Sequence, residues 1–187
     1  MPQPFAHPFM YWVGMDTDPR TTPEALAEFN QFYNSTHVHE VIAAHAGFVG
    51  VSRWELVEPD PRGGNHVGPR WLAIYDMQDE ASAEEYIKDN ARPWLHRRKY
   101  SPWPAARRKA KTVWRMLWRT QATAEVASDE LYFVGTNQAL SDFAATRLEL
   151  YRAFAHPEPE CPKFCVISEH ATPDESAVWR LRYRRIL

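Results

Sequence analysis

The chain has 187 residues, a formal net charge of −2 and 44% hydrophobic residues, enough apolar material for one large core or two small ones. The slight acidic balance argues against general nucleic-acid binding. No apolar run reaches the length of a membrane span, and no charged stretch followed by an apolar block reads as a signal peptide. A cytoplasmic protein is the expectation. Two cysteines, Cys161 and Cys165, are too few for a four-ligand zinc site and wrongly spaced for a Cys-x-x-Cys redox pair, and they read as reduced thiols.

In chain order, residues 1–8 read as a proline-rich arm. Phe9 to Met15 reads as a strand with both faces apolar, as expected when both are covered. Thr22 as cap, Pro23 at the first position and Glu24 in the first turn open a helix. Along it Leu26, Phe29, Tyr33 and His37 share one face, so a titratable imidazole ends an aromatic stripe. His39, Glu40 and His45 follow closely. Gly47 ends this region, and Phe48 to Val57 alternates as a second strand. Pro59 to Pro69 is rich in turn residues, and its glycines form no phosphate loop because no helix follows. Arg70 to Met77 is a third strand. A helix from Ala81 to Asn90 follows, where Ser82 and Glu85 would form a capping box, and Pro93 stops it.

Residues 90–124 hold ten Lys or Arg and no acid. Trp94, Trp103, Trp114 and Trp118 are interleaved with them. Within this stretch Thr112 to Thr120 alternates as a strand, which favours a solvated basic face or an anion site over nucleic acid. Residues 121–130 read as a polar linker. Then Leu131 to Gly135 is a strand, Ser141 caps an expected helix carrying Phe143, Leu148, Tyr151 and Phe154, and Lys163 to Glu169 and Val178 to Ile186 are strands. The expected organisation is therefore a module over 1–120, a linker, and a partial second module over 131–187. The order strand, helix, strand, strand, helix, strand of the first is the ferredoxin-like βαββαβ pattern.

Phe29-x-x-x-Tyr33-x-x-x-His37-x-x-Glu40, followed by Gly47-Phe48, resembles the dimeric α+β barrel superfamily, within it the EthD-like branch. His39 and Ala46 stand where that branch usually has proline. The resemblance implies an α+β fold in which a ferredoxin-like unit and a partial second unit face each other as two sheets, within one chain as an internal pseudo-dimer or across a homodimer. It also implies a range of activities, from cyclases and isomerases to haem-handling enzymes, that fold alone does not separate.

The chemistry favoured by the residues is cofactor-independent proton transfer, of lyase or isomerase type, on a small hydrophobic, aromatic or polyketide-like compound. His37 would be the general acid–base, because imidazole titrates near neutrality. Tyr33 would donate to a developing oxyanion, and Glu40 would orient the imidazole. Trp12, His39, Arg53, Trp54, Trp71 and Trp114 are the candidate substrate-binding residues. No metal site is expected, since His37 and His39, two apart, point to different helix faces. Haem is the alternative cofactor, with His37, His39, His96 or His170 as axial ligand. A non-catalytic ligand-binding protein is the third reading, because the second module has only the misspaced echo Tyr151 to Glu158 of the first motif. No nucleic acid or membrane is expected as a partner.

Overall fold

The computed structural model describes residues 4–58, 68–91, 100–108, 110–139, 145–155, 161–171 and 177–187. The eight strands are β1 (Phe9–Asp16), β2 (Phe48–Glu58), β3 (Trp71–Met77), β4 (Lys111–Ala122), β5 (Glu130–Thr136), β6 (Thr146–Ala155), β7 (Phe164–Ser168) and β8 (Trp179–Arg185). They close into one antiparallel barrel in the order β1-β3-β2-β8-β5-β7-β6-β4. The first four strands in the chain form one arc of neighbours and the last four form the other. The arcs are joined by the pairs β2–β8 and β4–β6.

This closure overturns the ferredoxin-like α+β expectation and, with it, the resemblance to the dimeric α+β barrel superfamily and its EthD-like branch. The hydrogen-bonded ladder runs unbroken from one arc to the other, so there are not two separate sheets packed face to face. Strand also outweighs helix. The expected helix at 141–154 is the point of largest difference. Ser141 and Phe143 lie outside the described residues, and Leu148, Tyr151 and Phe154 lie on strand β6. Register shifts at three places along β4–β6 mark bulges. A bulge breaks the period of two, so Tyr151 and Phe154 fall on one face three residues apart and imitate a helix. The partial second unit leaves no strand edge unpaired among the described residues, since β6 and β8 each have two neighbours.

The described helices all precede β4 in the chain. They are α1 (Pro23–Phe32), α2 (Val38–Ala44), α3 (Glu80–Ala91) and the single turn α4 (Ala105–Arg108), with a π-helical turn over Tyr33–His37 between α1 and α2. Thr22 caps α1 by accepting from the Ala25 amide at 3.3 Å. Asp79, not Ser82, caps α3, accepting from the Ser82 amide at 2.8 Å and its hydroxyl at 2.6 Å. Gly47, at φ +83°, turns the chain from α2 into β2, and a Cβ there would strike Ser82. Among the described residues no helix is long and apolar enough to cross a membrane.

Two cores follow from strand alternation. The inward face carries Trp12, Trp54, Trp114, Trp118 and Trp179, packed with Phe133 and Tyr183. An eight-stranded barrel is just wide enough for side chains to fill, and indoles fill this one. Gly135 makes room for the Trp179 ring, which a Cβ would approach to 2.5 Å. Phe5, at φ +66°, stacks on Trp54 with centroids 5.8 Å apart. Thr120 fixes that segment by donating to the His7 and Pro8 carbonyls. Cys161 and Cys165 are unpaired thiols, and burial pushes Cys161 up to about 12. The second core lies outside the first arc, where Tyr11, Met15, Trp71, Ala73 and Tyr75 meet Phe29, Tyr33, Val38 and Val41 of the helices.

Asp76 of β3 shares the inward parity of Leu72 and Ile74 and is 7% exposed. Burial raises its carboxyl to about 7, against a smaller opposing pull from Arg185. The folded state therefore holds a proton that the unfolded chain releases from about pH 4. Stability is expected to fall as pH rises from about 4 to about 7, by up to about 1.4 kcal/mol per unit, and then to level off. Asp76→Asn should flatten that slope and be the more stable protein at about pH 8, read from urea midpoints at both ends of the range.

Candidate functional site

The π-helical turn sets the site. Val38 N–H donates to the Tyr33 carbonyl, one residue further back than in an α-helix. In an uninterrupted α-helix positions four apart drift round the axis by about 40°. The wider turn between Tyr33 and His37 offsets that drift. Tyr33, His37, Val41 and, past the helix end, His45 consequently look into one cavity. Single π-turns inside α-helices occur frequently at functional sites.

The cavity has a volume of about 150 Å³. Tyr11, Val13 and Met15 of β1 and Tyr75 of β3 form its floor, Tyr86 of α3 a wall, and Tyr100 and Trp103 its cover. An open groove of about 570 Å³ lies beyond Trp103, between α1 and residues 102–105. Trp103 lines both spaces, so its indole divides the cavity from the groove.

The side chain of His37 is 12% exposed, and its Nδ1 lies 4.0 Å from Glu40 Oε2. Its ring packs on Trp103 at 4.1 Å, edge-on to Tyr33 at 5.0 Å and to Tyr100 at 5.4 Å. Glu40 accepts from the Ser101 amide at 3.0 Å and from its hydroxyl. That hydroxyl chiefly holds the Glu40 carboxyl below its ordinary value, and the His37 imidazole adds a smaller push the same way. Glu40 thus ties down the segment that carries Tyr100 and Trp103, besides standing beside the imidazole. Glu40→Ala is expected to release the Ser101 amide, read as loss of its hydrogen-exchange protection while α1 stays protected.

Arg53 stands behind Tyr33. It is 1% exposed, lies 4.0 Å from the Tyr33 ring centroid, and donates to Asn34 and, at 3.0 Å, to Asn30. Burial pulls it down to about 10, so it remains a cation at neutral pH. At the other end Arg115 donates to the Tyr11 hydroxyl at 2.9 Å and to Asn90 at 2.6 Å. Burial drives the Tyr75 and Tyr86 hydroxyls well above their ordinary value, which keeps both as neutral donors.

Of the residues singled out from sequence, His37 and Tyr33 line the cavity, Glu40 braces its cover, and Arg53 backs it. Trp71 packs on Phe29 on the same side of the sheet without lining the cavity. His39 is exposed on another helix face. Trp12, Trp54 and Trp114 lie inside the barrel, on the opposite side of the sheet. Of the other haem-ligand candidates, His170 is exposed and His96 lies outside the described residues. Sequence reasoning missed Tyr11, Tyr75, Tyr86, Tyr100 and Trp103. The available signals were the outward alternation of Tyr11 with Val13 and Met15, and Trp103 set between two prolines. No group of three or more His, Cys, Asp or Glu among the described residues is arranged to hold a metal ion. No protein-family model matches this chain, and no curated protein matches it.

Proposed function

We propose that this protein is a cofactor-independent enzyme of lyase or isomerase type that moves a proton on a small aromatic compound held in the tyrosine-lined cavity. The observation that carries this reading is His37. It is mostly desolvated, braced by aromatic rings, 4.0 Å from a carboxylate oxygen, and lines a partly open cavity. An imidazole so placed can take a proton from carbon or oxygen and return it elsewhere. Tyr33 and Tyr75 supply hydroxyl donors to an oxygen that gains charge.

The volume supports a ligand of one aromatic ring, since an apolar cavity of about 150 Å³ holds benzene. A haem is several times larger, so the cavity favours the single-ring ligand over the haem alternative. The test is a thermal-shift screen of single-ring phenols, aromatic ketones and aromatic acids, followed by turnover of each binder by the native protein and by His37→Gln. Turnover that depends on His37 supports the reading. Binding without turnover, or turnover indifferent to His37, points to the non-catalytic ligand-binding protein or to another catalytic group.

A further inference from the structure

Two guanidinium groups flank this cavity, and neither has a carboxylate within 4.0 Å among the described residues. Arg53 is buried against the back of Tyr33, with only amide oxygens as partners. Its Nε has no hydrogen-bond partner. Arg115 is half-buried and directs its Nε to the Tyr11 hydroxyl and an NH2 to an amide oxygen. None of the side chains lining the cavity is acidic. Glu40, beside His37, is engaged by Ser101, and Glu55, whose charge reaches Arg53 at longer range, is paired with Arg184. Cations taken out of water without counter-charge are costly unless something offsets them.

We infer that the cavity takes its single-ring ligand as an oxyanion, a phenolate or the enolate of an aromatic ketone, with the Tyr11 hydroxyl as a further donor to that oxygen beside Tyr33 and Tyr75, and Arg115 as the residue that positions and polarises it. The inference rests on the reading of the cavity as the active site and names its substrate class. Tyr11 oxygen receives the Arg115 N–H, which leaves the Tyr11 O–H to give. Tyr86 packs on Tyr11 with ring centroids 4.5 Å apart and presents a second neutral hydroxyl beside the same guanidinium. Arg53 adds positive potential from behind Tyr33. For a phenol the step is ionisation on binding: the phenolic O–H bond breaks, its electron pair stays on oxygen, and the proton leaves to solvent; for a ketone the α-C–H bond breaks, its electron pair forms the C=C bond as the carbonyl pair moves to oxygen, and His37 takes the proton. An opposite charge within a few ångströms lowers the acid's pKa by roughly 1–3 units, a 10- to 1000-fold shift toward the anion.

The probe is 4-nitrophenol, whose absorption separates phenol from phenolate. Titrated into the native protein below its own pKa, it is expected to bind with the phenolate spectrum and to release a proton. Nitrobenzene, the same ring without the hydroxyl, should bind at least about 10-fold more weakly. Tyr11→Phe and Arg115→Gln should each move the bound pKa back by about one unit while changing nitrobenzene affinity by much less than nitrophenol affinity, an outcome general damage to the cavity would not give. Nitrophenol bound as the neutral phenol, or a phenolate preference that survives in both variants, overturns the oxyanion assignment and leaves the active-site reading standing. Failure of both probes to bind overturns both.

Discussion

If His37 is the proton carrier proposed above, replacing it with Gln is expected to lower turnover by roughly 10²–10⁴-fold, the usual contribution of a general acid–base group. Gln keeps a polar side chain able to hydrogen-bond but cannot carry a proton near neutral pH. The ring contacts of His37 are with Trp103, Tyr100, Phe32 and Tyr33, at a cavity edge and outside the barrel interior. The melting temperature should therefore change little, by a few degrees at most. Tyr33→Phe removes one hydroxyl and keeps the ring over Arg53, so its effect on rate should be smaller. The result that counts against His37 is turnover within about threefold of the native value in a folded His37→Gln protein.

Trp54→Ala is expected to cost about 3–5 kcal/mol of stability. The indole is fully buried at the middle of the barrel, stacked on Phe5 and edge-on to Phe133 at 5.6 Å. Its N–H donates to Ser52 at 2.9 Å, so truncation also removes the partner of a buried hydroxyl. The surrounding ladder is closed and cannot collapse into the void. For a chain of this length the loss corresponds to a fall in melting temperature of about 10 °C. A fall of under about 3 °C would mean that the interior is far looser than the structure describes.

How much of this was legible in the sequence follows from what alternation encodes. A period of two tells which residues share a face, and seven of the strands were readable that way. It does not tell which face meets the helices. On β1, Tyr11, Val13 and Met15 face the cavity while Met10 and Trp12 face the barrel interior, yet both rows are apolar. Trp54 and Trp114 were expected in a pocket because aromatic size is visible and the choice of face is not. Nor does alternation name a strand's partner, so the closure through β2–β8 and β4–β6 was hidden. Strand β6 was misread because its bulges destroy the one periodicity that identifies strands. The row Tyr33, His37 and Val41 was legible at its start because the aromatic spacing precedes the π-turn. The turn itself has no sequence signature that reasoning from spacing would detect.

The closing pair β2–β8 sets Glu55 opposite Arg184, 129 residues apart along the chain. Long-range pairing of this kind gives a high contact order, and such chains cross their folding barrier on millisecond-to-second timescales. On the ribosome, at roughly 5–20 residues per second, β2 is finished several seconds before its partner exists. Its unpaired backbone and the inward row headed by Trp54 then form a temporary adhesive edge. The completed barrel has no such edge, so the chain's exposure to aggregation belongs to its synthesis and refolding. Refolding yield should depend on protein concentration more steeply than native solubility does.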